Sequence, residues 1–165
     1  MSWESFISNI YYKTVPEGQV GQCVEKAGII MKANGQVAGT AGGFDLLSRS
    51  VSIPTEDESA MRDVPVDERQ ILLEALNNEG IVSTPAGIWI SGEKYYLIIF
   101  DSDRSVMYLK KHGGGACVAW SNTAIVFGSW TNGLTTTGPK EIPHSAGMCN
   151  GQCEAVAQYL RDNNS

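Results

Sequence analysis

The chain has 165 residues, 42% of them hydrophobic and 18% charged, enough for one core and without an apolar run approaching the roughly 20 residues that a membrane-spanning helix needs. Its 12 basic and 18 acidic residues leave a net charge of -6, which opposes sequence-independent attraction to nucleic acid or anionic lipid and favours a partner with a basic patch.

The N-terminal stretch MSWESFISNIYY lacks the basic start and small-residue cleavage site of a signal peptide, so a cytoplasmic protein is expected. Trp3, Phe6, Ile7 and Ile10 follow the i, i+3, i+4, i+7 spacing of one helical stripe, with Ser2 as N-cap and Pro16 and Gly18 ending the helix. Trp3, so close to a chain end, is expected to stay half open. Ala27 to Met31 and Gln36 to Thr40 read as a hairpin across Ala33-Asn34-Gly35, the Asn-Gly pair suiting a type I′ turn. From Asp45 to Pro65 the pattern lapses into serines, prolines and the acidic cluster Glu56-Asp57-Glu58, which reads as a long surface excursion. Asp67 then caps a helix bearing Ile71, Leu72, Ala75 and Leu76, which runs out at Asn77-Asn78-Glu79-Gly80.

Gly87 to Ile90 and Tyr95 to Phe100 flank Ser91-Gly92-Glu93-Lys94 as a further hairpin, and Val106 to Lys110 continues the meander. Gly113-Gly114-Gly115 is read as a flexible connector, because no helix opening with Lys-Ser/Thr follows to make a phosphate loop. Ala116 to Trp130 is the strongest hairpin signal, turning at Ser121-Asn122. Its second arm, Ala124 to Phe127, is continuously apolar and therefore expected mid-sheet. Thr131 to Ser145 reads as a second irregular insertion. The terminal helix, Asn150 to Arg161, continues a stripe of Cys149, Cys153, Val156 and Leu160 with Tyr159 on its flank.

Cys23, Cys117, Cys149 and Cys153 are expected to be buried thiols, and C-x3-C without a second pair or nearby histidine does not make a tetrahedral metal site. His112 and His144 stand in loop-like sequence with no adjacent nucleophile, so neither an enzyme nor a cofactor is expected.

Five segments in order resemble the profilin family: Met1-Ser2-Trp3 with Phe6; Val37 to Phe44, like its VWAxxGGF strand end; Gly87 to Tyr95, like its GLxLGGxKY hairpin; Gly114-Gly115 with Ala124 to Gly128; and Gly147 to Asn150 running into Gln158-Tyr159-Leu160, like its GQCN-to-DYL helix. The extra length near residues 45–65 and 131–145 looks most like long profilins such as those of apicomplexan parasites. The resemblance implies an α+β fold, one domain over residues 1–165. A central antiparallel sheet of about six or seven strands would carry the N- and C-terminal helices on one face and a smaller helix on the other.

It also implies a non-enzymatic protein that binds monomeric actin and proline-rich proteins such as formins. The positions matching the family's polyproline groove are Trp3, Phe6, Tyr159 and Leu160. Those matching its actin face are Lys94, Tyr96, Leu97, Lys110, Lys111, Val118, Trp120, Gly147, Met148, Asn150 and Glu154. A phosphoinositide site would use Arg104, Lys110 and Lys111. Ala38 in place of the usual tryptophan, and Ser165 in place of a frequent tyrosine, predict weakened proline-peptide binding; the separate alternative is a proline-rich-peptide adaptor with reduced actin binding. Ile99 or Phe100 at the usual arginine position bears on actin affinity.

Overall fold

A computed structural model describes residues 3–15, 19–135 and 143–163. Ser2, Pro16, Gly18, Ser165 and residues 136–142 of the insertion near 131–145 lie outside the described residues. In chain order the elements are α1 (Trp3–Tyr11), β1 (Tyr12–Val15), β2 (Gln19–Gln22), β3 (Lys26–Met31), β4 (Val37–Ala41), β5 (Ser48–Pro54), β6 (Met61–Asp67), α2 (Glu68–Asn77), β7 (Ile88–Ile90), β8 (Glu93–Asp101), β9 (Val106–Lys111), β10 (Gly114–Trp120), β11 (Ala124–Thr131) and α3 (Ala146–Asp162).

Seven strands form one antiparallel sheet in the order β4-β3-β11-β10-β9-β8-β7, which places the apolar run Ala124 to Phe127 in its middle as expected. Alternation divides the side chains between two cores. On one face Phe6, Ile7 and Ile10 of α1 and Cys149, Cys153 and Val156 of α3 pack on Ile29, Cys117, Ala119 and Val126. On the other face Ile71, Leu72 and Ala75 of α2, with Val64 and Val66 of β6, pack on Ile30, Leu109, Val118 and Phe127. The terminal helices and the middle helix thus lie on opposite faces. α3 sits so close to β11 that a Cβ at Gly128 would fall 2.6 Å from Cys153 Sγ. All four cysteines are free and buried. Hydrogen bonds with the Cys117 and Cys149 thiols, followed by burial, push the Cys153 thiol well above the ordinary cysteine range and keep it protonated.

Several local expectations are corrected. α1 ends at Tyr11, and the chain enters the short β1–β2 pair instead of continuing as helix toward Pro16. Asp45 to Pro65 is not an irregular excursion: it contains most of a separate β5–β6 ribbon, with Val51 opposite Val64 and both turned inward, while the intervening serines and charges face water. The type I′ turn sits elsewhere. At Asn34-Gly35 only the glycine has positive φ, whereas Ser91 (φ 52°) and Gly92 (φ 82°) are both left-handed and join β7 to β8 in two residues. Gly114 and Gly115 belong to β10 instead of a flexible connector; a Cβ at Gly114 would strike the Trp130 carbonyl oxygen at 2.1 Å.

One carboxylate links these parts. Glu68, the first residue of α2, is wholly buried. Its Oε1 accepts from the Leu47 and Ser91 amides at 2.8 and 2.7 Å, and its Oε2 from the Gly92 amide at 2.8 Å. The strained turn, the entry to the ribbon and the start of α2 therefore share one acceptor group.

Candidate functional site

Two surfaces flank α3. The first lies along its contact with α1, where Gln152 Nε2 donates to the Asn9 carbonyl at 2.8 Å and fastens the two helices side by side. Phe6 stands between two other rings, 5.6 Å from Trp3 at 49° and 5.9 Å from Tyr159 at 47°. Trp3 is half-buried and Tyr159 is 50% exposed. Ser5, Phe6, Asn9, Ala155, Val156 and Tyr159 line an open groove beside these rings. Leu160 does not join them. It lies on the Cys153–Val156 stripe and is only 2% exposed, a core residue, whereas Tyr159 points outward, about 100° away around the helix. Ala38 packs partly buried against the same core.

The second surface exists because α3 packs mainly on β10 and β11, so that among the described residues the helices leave the adjoining part of the sheet largely uncovered. Register determines what points there. Tyr96 pairs with Lys110 and Ile99 with Tyr108, while the bulge between Leu97 and Ile99 inserts Ile98 as an extra residue. Ile98, Tyr108, Lys110, Trp130, Ala146 and Asn150 meet around a cleft at the start of α3. Gly147 is exposed and Met148 half-buried beside it. Lys94 Nζ lies 5.3 Å from the Tyr96 ring centroid, a cation over an exposed aromatic face. At the far end Arg104 Nη2 bonds Glu154 at 2.5 Å. Burial, then the hydrogen bond to Glu154, raises the Tyr108 phenol above its ordinary range.

Lys94, Tyr96, Lys110, Gly147, Met148, Asn150 and Glu154 are therefore gathered on one surface. Four other expected members are not. Leu97 pairs with Leu109 and takes the α2 side. Val118 is wholly buried there, and Trp120 stacks on Phe100 at 5.3 Å and 30° at the edge of the same core. Lys111 is 4% exposed, its ammonium 3.0 Å from Glu25 and 3.0 Å from Glu93. The trio proposed for phosphoinositides does not assemble either: Lys111 is enclosed, and Arg104 and Lys110 stand at opposite ends of β9, the former already paired. Ile98, Tyr108, Trp130 and Ala146 were missed by sequence reasoning. Tyr108 alone had a signal, two residues from Lys110 and so on the same strand face.

His144 is buried with Nε2 3.0 Å from the Gln22 carbonyl oxygen, a tether between segments. No helix among the described residues is long and apolar enough to cross a membrane.

The profilin family model matches residues 1–165. The profilin of Tetrahymena pyriformis is 34% identical over 141 residues, covering 85% of this chain and 88% of that protein. The chain belongs to the profilin family. Among solved structures, Acanthamoeba castellanii profilin IB superposes with a TM-score of 0.65 at 19% identity, covering 99% of this profilin and all of that chain. Mouse profilin IIa in complex with a double repeat from the FH1 domain of mDia1 gives 0.57 at 17% identity with both chains fully covered. Loki profilin 1 in complex with rabbit actin gives 0.57 at 13% identity, covering 99% of this profilin and 98% of that one. These likenesses establish a profilin fold: three helices about a curled seven-stranded antiparallel sheet.

Proposed function

We propose that this profilin binds monomeric actin through the bare side of β8 and β9 together with the start of α3, and proline-rich segments, such as those of formins, through the α1–α3 ring groove. Working in the cytoplasm, it thereby governs delivery of monomers to filament ends. The observation that carries the reading is the placement of two unlike surfaces on either side of one helix. Phe6 and Tyr159 line an open groove, with Trp3 packed against Phe6; Tyr96, Ile98, Tyr108, Lys110 and Asn150 form a broader patch with a cationic rim. A polyproline II segment is already extended and loses little entropy on docking against flat rings, while the half-exposed Tyr159 hydroxyl offers a donor for its carbonyls. The other patch suits a folded partner: exposed aromatic and aliphatic side chains supply area, and Lys94 and Lys110 steer an acidic surface into register. Two structural neighbours, one in complex with rabbit actin and one with a double FH1 repeat, support the pairing of activities.

The Ser48–Asp67 ribbon supports the finer reading that this is a long-form profilin of the apicomplexan-like kind. Phosphoinositide binding is not carried forward, since of its three residues only Lys110 is exposed and outside the ion pairs described above.

The reading is tested by titrating the purified chain into actin monomers and following spontaneous assembly, and separately into a proline-rich peptide while following tryptophan emission. Slower assembly and an emission change are expected. Unaltered assembly together with absence of co-migration with monomers would remove the actin half; an unchanged emission spectrum would remove the peptide half.

A further inference from the structure

We infer that the outer edge of β8 pairs antiparallel with the same edge of a second copy of this chain, about a two-fold axis between Ile98 and Ile99. β7 covers β8 only where Ile88, Trp89 and Ile90 face Tyr95, Lys94 and Glu93. On the N-terminal side of β7, Gly87 (φ 85°) turns the chain, and Ala86 is buried in the α2-side core. From Tyr96 to Asp101, therefore, β8 has a paired strand on the β9 side alone among the described residues. This stretch is also where large apolar side chains reach water: Tyr96 is 61% exposed, Leu97 39%, Ile98 63% and Ile99 49%.

Edge strands are ordinarily protected by charges, proline or bulges; between Lys94 and Asp101 this one has no charge and no proline, and the bulge at Ile98 is its one such device. The bulge at Ile98 adds twist and brings Ile98 toward the cleft face that Ile99 shares with Tyr108, concentrating apolar surface on the helix side.

The same six residues say what covers them. Set antiparallel against themselves, they place Tyr96 opposite Asp101, Leu97 opposite Phe100 and Ile98 opposite Ile99 of the second copy, and the two-fold repeats each pair. Tyr96 and Asp101 both take the helix side of the sheet, through their pairings with Lys110 and Val106. The Lys94 ammonium, held over the Tyr96 ring, then faces Asp101 of the other copy at both ends of the junction. Apolar centre and complementary charged ends thus come from one self-matching segment, KYYLIIFD. The result is a continuous sheet through both copies.

Lys94, Tyr96 and Ile98 also belong to the surface proposed for actin, so pairing and actin binding would exclude one another. The pairing itself is measured on the chain alone, and its failure leaves the actin reading untouched.

Sedimentation velocity from about 1 μM to about 1 mM protein should show the mass doubling with concentration. Ile98→Lys and Lys94→Glu, both at surface positions and checked for unchanged thermal melting, should each weaken association by about tenfold or more. Combining Lys94→Glu with Asp101→Lys should restore it to within about threefold of the parent chain. A chain that stays monomeric throughout, a dimer indifferent to Ile98→Lys and Lys94→Glu, or a charge exchange that fails to restore association would each overturn the inference.

Discussion

The Lys111 ammonium lies 3.0 Å from a Glu93 carboxylate oxygen, with only 4% of the lysine side chain exposed to solvent. A second carboxylate, Glu25, approaches the same nitrogen at 3.0 Å. A buried cation between two partly exposed anions is a structural group, and removing it leaves two carboxylates facing one another. Lys111→Met should destabilise the fold by about 2 kcal/mol, less than for a fully buried pair because both carboxylates retain about a third of their exposure. Urea unfolding measures this, and actin affinity of the still-folded variant should stay within about twofold of the parent.

Acid should act through the same cluster. Burial alone would raise the Glu25 pKa, but the hydrogen bond from Thr131 and the hydrogen bond and charge of Lys111 outweigh it, and the net shift is downward from 4.5. A carboxylate depressed in the folded state contributes stability that is complete above its unfolded pKa and disappears as pH falls through the folded one. The parent chain should therefore lose part of its unfolding free energy as pH falls below 4.5, and Glu25→Gln should flatten that limb in a pH series of urea midpoints.

Glu68 provides a sharper test of the α2-side architecture. Glu68→Ala leaves the Leu47, Ser91 and Gly92 amides without their acceptor and opens a void beneath a two-residue turn in which both φ values are positive. A loss of about 3 kcal/mol is expected, the range for buried polar groups left unpaired. Glu68→Gln, which keeps one acceptor oxygen, should lose less. Equal midpoints for all three proteins in urea would show that the turn holds without this acceptor.

What could be read in advance depended on how regular each pattern was. The α1 stripe Trp3-Phe6-Ile7-Ile10 keeps one helical period, and the continuous apolar run Ala124 to Phe127 marks the central arm of the hairpin; both fold as those patterns imply. The β5–β6 ribbon was hidden because serine, arginine and aspartate fill its outward positions, leaving Val51, Val64 and Val66 as sparse marks of alternation. Choosing between Lys110 and Lys111, or between Tyr96 and Leu97, needs the strand register. A bulge at Ile98 resets the period inside β8, so counting by twos along the sequence assigns the wrong faces beyond it. Glu68 gave no signal, because its three donors come from segments 21 to 24 residues away.

Tyr159 and Leu160 separate groove from core within one dipeptide. Tyr159→Ala removes an exposed ring that stacks on Phe6 and should weaken proline-peptide binding by about 1 kcal/mol, roughly fivefold, with little change in melting temperature. Leu160→Ala should do the reverse. It excavates the α3–sheet contact at a cost of about 2 to 4 kcal/mol, and should leave peptide affinity nearly unchanged under conditions where the variant is folded. Peptide titration by tryptophan emission and thermal melting, run on both variants, distinguish the two roles.

Lys110 and Lys111 make the corresponding pair on the proposed actin surface. Lys110 is exposed opposite Tyr96, above the cleft that Tyr108 and Asn150 line, and its charge is free to act at a distance on an approaching acidic partner. Lys110→Glu should therefore slow association with actin monomers by about threefold to tenfold at low salt and leave dissociation nearly unchanged, because a rim charge steers encounter more than it holds the complex. The difference should shrink as added salt shortens the screening length toward about 8 Å. Stopped-flow association traces at two ionic strengths provide the check. If Lys110→Glu associates at the parent rate while Lys111→Met, still folded, does not, the register-based assignment of the two lysines to opposite faces would lose its functional meaning.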